Sequence, residues 1–343
     1  MARSNRPSVK RISEITGYSP ATVSNALNKK RGVNKETSER IFQVAEDLGY
    51  SSVSRVLKNI KFVIFRRNGA IIDDSPFHPA VMNGVEAAAK ENGLATLYVR
   101  LNYGESNYEE QLNVLLSDTN GGIILLGTEM LEEDFKPFQS CKSPLILLDG
   151  WSETMPFNGV LINNADSAAY AVNHLIQKGH QRIGYIRGNY RIKAFQSRER
   201  GYKIALQENG LKCNPRWVVT VGTKTESAHE DMLRWLSASP DLPTAFFVDN
   251  DLIAYGVIRA LTQNGIHVPE DVSIVGFDDL PYSTVSNPAL TTIHVNGSSM
   301  GREAVNRLLD MMAMPDTGQF KIESCTQFIE RESVRQLLPL SSK

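Results

Sequence analysis

Residues 8–50 read SVKRISEITGYSPATVSNALNKKRGVNKETSERIFQVAEDLGY, and the spacing of their apolar side chains decides the N-terminal fold. Val9, Ile12 and Ile15 recur at helical spacing and predict a first short helix with these three residues inward. The pattern breaks at Thr16-Gly17-Tyr18, where the glycine accommodates a positive φ. Ser19 then suits an N-cap, and Pro20 suits the first helical position, where its missing N–H costs nothing. Val23 and Leu27 stand four apart on this second helix. The short side chains of Ala21, Thr22, Ser24, Asn25 and Asn28 are left on the other faces. A third helix starts at the N-cap Asn34, turns Ile41, Val44, Ala45 and Leu48 inward, and stops at Gly49. Two short helices around a tight glycine turn form a helix-turn-helix, whose second helix is slim enough for the DNA major groove. The competing reading is a plain three-helix bundle of about 50 residues, whose small core would be marginal without a partner.

Charge separates this head from the rest. Residues 1–61 carry 12 Lys+Arg against 5 Asp+Glu, a net of +7, while the remaining residues carry 25 against 33, a net of −8. A basic head on an acidic body is the pattern of a nucleic-acid binder whose other part has a second task. Lys10, Arg11, Lys29, Lys30, Arg31 and Lys35 flank the second helix and are expected to meet phosphates without reading sequence.

Beyond the head, apolar runs at 62–65, 95–99, 122–126, 145–148, 182–186, 245–248 and 272–276 alternate with amphipathic stretches at 81–92, 165–178, 197–209 and 252–264. This βαβα rhythm predicts parallel sheets covered by helices on both faces. Seven or more strands split naturally into two doubly wound lobes, with a ligand at the carboxyl ends of the strands between them.

The head string resembles the lactose-repressor (LacI/GalR) family throughout its length: ATVSNALN, a Val33-Asn34-x-x-Thr37 start to the third helix and a closing Leu48-Gly49-Tyr50 all fall in register. The body resembles the same family in Ser75-Pro76-Phe77-His78, in Lys178-Gly179-His180-Gln181-Arg182-Ile183 and in Asp249-Asn250-Asp251. Two further strings match, Val275-Gly276-Phe277-Asp278-Asp279 and Pro288-Ala289-Leu290-Thr291-Thr292-Ile293, so head and body together cover nearly the whole chain.

The resemblance implies an α/β protein with an all-α helix-turn-helix head and a two-lobed body like a periplasmic binding protein. The head takes residues 1–50, an atypical linker 51–61, and the effector-binding and dimerisation body 62–343. Lobe 1 covers 62–163 and 293–323, and lobe 2 covers 164–292 and 324–340. Pro20 and Ala21 fall at the family's main specificity positions, followed by Thr22, Ser24 and Asn25, with Ser19, Asn28 and the flanking cations around them. Proline and alanine offer no side-chain hydrogen bond, so selectivity rests on apolar contacts and on Asn25.

The linker departs from the family, which continues with a Pro-Asn pair and an Ala-Arg-x-Leu hinge helix. This chain reads Ser51-Ser52-Val53-Ser54-Arg55-Val56-Leu57-Lys58-Asn59, with Asn59 in the leucine's place. A short hinge helix using Val56 and Leu57, with Arg55 against the DNA, is the alternative to a missing wedge.

By the same resemblance Phe77, Arg198, Asn250 and Asp278 face the cleft, with Asp149 and Trp151 as further candidates. Arg198 is expected to fork two hydrogen bonds to ligand oxygens, and Asn250 and Asp278 to bond vicinal hydroxyls. The bland alternative for each is a cap or an inter-lobe salt bridge. Sugar- and purine-responsive relatives place an aromatic residue where Val221-Gly222-Thr223-Lys224 sets a lysine, and Arg191 and Lys193 add two cations nearby. Either an anionic effector, a sugar phosphate or sugar acid, meets Lys224, or the lysine points to solvent.

Other classes lose their support. GxxxxGK[ST], GxGxxG and HExxH are absent, and Cys141, Cys213 and Cys325 share no metal spacing. No catalytic residue, metal or cofactor is therefore expected. The basic start lacks the apolar run of a secretory signal and no stretch is long enough to span a membrane, so the cytoplasm is the expected location. The expected protein is a repressor binding a pseudo-palindromic double-stranded DNA operator as a homodimer and switched by a sugar or sugar derivative. The alternative is a cytoplasmic small-molecule-binding protein without a switch.

Overall fold

In the computed structural model, which describes residues 8–27, 32–48, 59–313 and 318–337, the Ser8 hydroxyl starts the first helix by accepting the Arg11 N–H at 3.2 Å. That helix, α1 (Val9–Thr16), ends where Gly17 turns left-handed at φ 76°. α2 (Pro20–Leu27) begins with the Ser19 hydroxyl accepting the Thr22 N–H at 3.1 Å. α3 (Lys35–Asp47) begins with Asn34 Oδ1 accepting the Thr37 N–H at 2.7 Å. Ile12, Val23, Ala26, Leu27, Ile41 and Ala45 form the buried core, with Val9, Val44 and Leu48 packed on it.

Ile15, expected inward, is 45% exposed. Two steps of three residues carry it about 120° round the helix from Val9, past the side that so small a core covers.

The chain forms two compact units, one holding the residues up to Leu57 and the other those from Lys58 to Met311 and from Asp316 onward. In the second unit β1 (Asn59–Arg66), α4 (Phe77–Glu91), β2 (Ala95–Asn102), α5 (Tyr108–Ser117), β3 (Gly122–Leu126), β4 (Leu145–Leu148) and β5 (Asn158–Ile162) come first. α6 (Asn164–Gln177) leads to β6 (Ile183–Gly188), α7 (Lys193–Glu208), β7 (Val218–Val221), α8 (Thr225–Leu236), β8 (Ala245–Val248), α9 (Asp251–Gln263) and β9 (Ser273–Val275). The chain closes with β10 (Thr292–His294), α10 (Gly297–Ala313), β11 (Lys321–Ser324) and β12 (Gln327–Ile329).

A six-stranded parallel sheet runs β11-β5-β4-β3-β1-β2, and a four-stranded parallel sheet runs β7-β6-β8-β9. β10 and β12 pair antiparallel as a separate ribbon. The chain leaves the six-stranded sheet through α6, returns to it after β9, and leaves again after β11 by way of β12, beyond which the Ser333 carbonyl accepts the Ile274 N–H of β9 at 2.8 Å. Strands β3, β4 and β8 are buried at every residue, as parallel strands covered on both faces must be.

One expected boundary moves. β1 begins at Asn59, so 59–61 belong to the first sheet and not to the linker 51–61. Asn59 pairs in register with Ala95, which removes it from any wedge. Lys61 does not interrupt the strand, because its ammonium is buried against Asp118 at 2.7 Å and the Asn120 carbonyl at 2.5 Å. Arg55, Val56, Leu57 and the hinge helix lie outside the described residues.

Candidate functional site

The head offers its polar surface ready-made. Ser19, Pro20, Ala21 and Asn25 are exposed and Thr22 and Ser24 half-buried, while Val23, Ala26 and Leu27 of the same helix face the core. Lys10 and Lys35 are exposed, and Arg11 is engaged with Glu14 at 3.0 Å. Asn28, Lys29, Lys30 and Arg31 lie outside the described residues.

In the body, the loops after the strands of one large sheet meet those of the other, so a cleft lies at the carboxyl ends of both. The Tyr190 hydroxyl, after β6, donates to the Glu129 carbonyl, after β3, at 3.0 Å. The Thr223 hydroxyl, after β7, donates to the Ala70 carbonyl, after β1, at 3.0 Å. Lys193 reaches Glu132 at 2.5 Å and stands 5.8 Å from the Trp151 ring.

Two carboxylates carry the interior of this cleft. Asp149 follows β4 and Asp278 follows β9, and both adopt left-handed backbone, at φ 53° and φ 110°. Such conformations are uncommon outside glycine and cluster at functional sites. Burial pushes Asp149 up to about 6; Thr128 and Arg198 oppose that shift and Asp278 adds to it. The Thr128 hydroxyl donates to Asp149 at 2.7 Å and lies 3.3 Å from His78 Nε2. Burial holds His78 neutral, pushing it down to about 4. Asp278 is likewise raised by burial, against the pull of Arg198.

Arg198 is the cation of the interior. Its Nε donates to Asn164 Oδ1 at 2.9 Å, one terminal nitrogen to the Asp249 carbonyl at 2.6 Å, and the other to Asp278 at 3.1 Å. Its guanidinium lies 3.6 Å from the centre of the Phe277 ring. The fork is thus already occupied in part by the protein. Asp279 points away, to His294 at 3.0 Å and Arg331 at 2.6 Å, so the neighbouring carboxylates form no pair.

The other expected residues divide. Asn250 caps α9, its Oδ1 accepting the Ile253 N–H at 3.0 Å, and is buried. Phe77 opens α4, its buried ring 5.5 Å from His78 and close to the backbone of Gly297. Lys224 is not in the interior: it is 49% exposed at the mouth and pairs with Asp74 at 2.5 Å. Arg191 pairs with Asp249 and with Glu199, the latter at 2.9 Å.

Thr128, Glu129, Tyr190 and Thr223 were not foreseen. Each follows a strand directly, and that placement is the only trace they leave in the sequence. Two other buried acids are structural. Asp251, pushed up to about 7 by burial with Asp278 adding to it, holds Thr292, Leu280 and Ser283. Asp249 takes Gly188 N–H, Tyr185 and Arg191.

A helix-turn-helix head with an open polar face, in one chain with a body whose cleft buries unlike charges, defines a DNA-binding regulator with a ligand-binding domain. Comparison with known proteins gives the same class. Residues 9–52 match bacterial regulatory proteins of the lacI family, and residues 172–334 match a periplasmic binding protein-like domain. The HTH-type transcriptional repressor PurR of Haemophilus influenzae (strain PittEE) is 31% identical over 336 residues, covering 96% of this chain and 99% of the relative. PurR of Pasteurella multocida (strain Pm70) is 30% identical over 334 residues, covering 96% and 99%. Among solved structures, the transcriptional regulator CelR in complex with cellobiose superposes with a TM-score of 0.72 at 25% identity, covering 96% of this chain and 100% of that one. The lac repressor dimer bound to operator and the anti-inducer ONPF shares the fold, with a TM-score of 0.71 at 22% identity over 96% and 99% of the two chains.

The chain belongs to the lacI family of bacterial regulatory proteins. It is a DNA-binding transcription regulator with an effector-binding domain, and its relatives are repressors, not enzymes.

Proposed function

We propose that the protein is a cytoplasmic repressor that binds a pseudo-palindromic operator as a homodimer and is switched by a neutral, hydroxyl-rich effector in the body cleft. In this reading Ser19, Pro20, Ala21, Thr22, Ser24, Asn25 and Asn28 meet base edges. Lys10, Lys29, Lys30, Arg31 and Arg55 meet phosphates. Asp149, Arg198, Asn250 and Asp278 bond the effector, with Phe77 beside them. The same reading keeps the head at residues 1–50 and the two-lobed body after the linker, with β1 opening the body at Asn59.

The observation that carries the effector class is the left-handed pair Asp149 and Asp278 in a buried interior. Carboxylates short of donors are satisfied by a ligand that brings hydroxyl protons, and two acids against one arginine repel an anion. The cations that would favour a sugar phosphate or sugar acid are already matched: Lys224 by Asp74, Lys193 by Glu132, Arg191 by Asp249 and Glu199. A flat heterocycle loses the stacking ring that Lys224 replaces. The CelR relative, whose structure holds the neutral sugar cellobiose, supports the same class.

Dimerisation has its own support in exposed apolar side chains. Leu97 and Tyr98 stand out on the edge strand β2 and Val114 on α5, and Tyr282 and Val285 border a groove of about 770 Å³ along α9. A two-fold pair of heads matches a palindrome, and effector binding in the cleft would change the spacing of the two heads. That switch requires different effector affinities in two states.

The test is thermal unfolding against neutral sugars, sugar phosphates, sugar acids and purine bases, followed by operator gel shifts with each hit. A bound compound at 100 times its Kd adds roughly 2.7 kcal/mol. The proposal expects a neutral-sugar hit that survives Lys224→Met. A hit confined to anions and lost in that variant would overturn the neutral class. Operator affinity unchanged at saturating effector would remove the switch.

A further inference from the structure

Glu129 is fully buried three residues after β3, and its carboxylate is wrapped by backbone. Oε2 accepts the N–H groups of Arg67, Asn68 and Gly69 at 2.9, 3.1 and 3.0 Å. Oε1 accepts those of Ile71 and Ile72 at 2.8 and 3.1 Å. The intervening Ala70 N–H goes to Asn68 Oδ1 at 2.9 Å. Six consecutive amides after β1 are therefore committed, five of them to one side chain. Gly69 at φ 74° allows the curl, and a Cβ there would meet the Asp73 carboxylate at 2.1 Å. Arg66 closes the loop's base on Asp73, at 2.9 and 2.6 Å.

The outer side of this loop faces the second sheet. Ala70 offers its carbonyl to Thr223, Asp74 pairs with Lys224, and Ile71 is buried in a cluster with Ile192, Ala194, Phe195 and Tyr190. Tyr190 in turn donates to the carbonyl of Glu129 itself. One residue thus shapes the loop with its side chain and receives the opposite wall with its backbone.

We propose that Glu129 is the positioning residue of a gate: it moulds residues 67–74 into a rigid lip that closes the mouth of the cleft by packing Ile71 against the loop after β6 and the start of α7. The proposal rests on the reading of the cleft as the effector site and adds how its mouth is kept shut. The physical ground is that a carboxylate accepting several backbone N–H groups is replaceable by no neutral side chain. In Glu129→Gln one oxygen becomes an NH₂ facing N–H donors, so two or three amides lose their acceptor and the lip loses its shape.

The experiment uses the full chain without its three native cysteines, labelled at Ser106→Cys and Glu230→Cys, one on each wall, and diluted into unlabelled protein. Pulsed-spin distances report the separation of the walls, and hydrogen exchange reports the 67–72 amides. Wild type is expected to show a short separation and protected amides. Glu129→Gln should lengthen the separation and speed exchange at 67–72 by roughly tenfold or more. Ile71→Ser should lengthen the separation while leaving those amides protected, which separates the gate from mere folding of the loop. Thr223→Val should lengthen it in wild type and add nothing in Glu129→Gln, because both act through the same lip. An unchanged separation in Ile71→Ser, or unprotected 67–72 amides in wild type, would overturn the proposal. None of these readouts uses an effector, so an empty ligand screen and a failed gate are distinct results.

Discussion

The head and the body both keep polar groups ready for a partner, in opposite ways. The head sets short polar side chains on the outside of a six-residue apolar core, and none of its described charged side chains is buried. The body encloses Asp149, Asp278 and Arg198, holding two of them on strained backbone. A surface site costs its fold almost nothing, whereas an enclosed charged site destabilises the empty protein until a ligand satisfies it. Changes in the head's polar face should therefore move DNA binding alone, and changes in the cleft should move stability and ligand response together.

The sharpest challenge to this contrast is Arg198→Met. The substitution keeps the bulk but strands Asp278, Asn164 Oδ1 and the Asp249 carbonyl without their donors. Removing one partner of a buried ion pair costs about 3–5 kcal/mol. Chemical denaturation of the body should show a loss of that size. A loss below about 1 kcal/mol would mean the pair is solvated and the cleft is no different from a surface.

Next in size is Ile12→Ala, in a core with little to spare. Deleting a buried isoleucine costs about 2–5 kcal/mol, comparable to the whole stability of a unit this small. Operator binding should fall at least 100-fold while the main calorimetric transition, that of the body, stays in place. A shift of both together would show that the two units melt as one.

Asp149→Asn tests the enclosed charge from the other side. Asp149 sits at about 6, above its value of about 3.9 in the unfolded chain. A raised carboxyl favours the folded state below the unfolded value, and that contribution is lost as pH rises through about 6. The unliganded variant should be more stable than wild type at pH 8, by about 1–3 kcal/mol, with the difference vanishing near pH 4. It should also bind effector more weakly. Wild-type stability that stays flat between pH 4 and 7 in the Asp149→Asn difference would place the carboxyl in contact with water.

The same contrast explains what could be read in the sequence. In the head, capping depends on residue type, so Ser19 with Pro20, Gly17 and Asn34 marked three helix ends correctly. Among the described residues of the head Ile15 misled, because helical spacing does not say how wide a small core is. In the body, fully buried strands such as β3, β4 and β8 announced themselves as apolar runs. The short strands β5, β7, β11 and β12 did not, because Asn158–Ile162 opens on a polar pair and Lys321–Ser324 alternates at a sheet edge. Asp149 and Asp278 became candidates through the family resemblance, and both stand just after strands. Glu129 could not, since its partners are backbone N–H groups, which every residue carries. Nor could the pairing of Lys224 with Asp74, 150 positions apart, which turned a candidate ligand group into part of the mouth.

The smallest expected effect separates two kinds of contact within the head. Lys10 is exposed on α1, and Asn25 is exposed on α2 beside Pro20 and Ala21. A phosphate contact carries no sequence information, so Lys10→Ala should weaken operator and random DNA alike, and lower the slope of log affinity against log salt by about 1. Asn25→Ala should leave that slope unchanged and cost about 1–3 kcal/mol on the operator only, because a base-edge contact exists on one sequence. Neither variant should alter the melting of the body. If Lys10→Ala reduced operator binding but not random binding, the lysine would be reading the sequence, and the division of the head into a phosphate rim and a base-reading helix would have to be redrawn around α1.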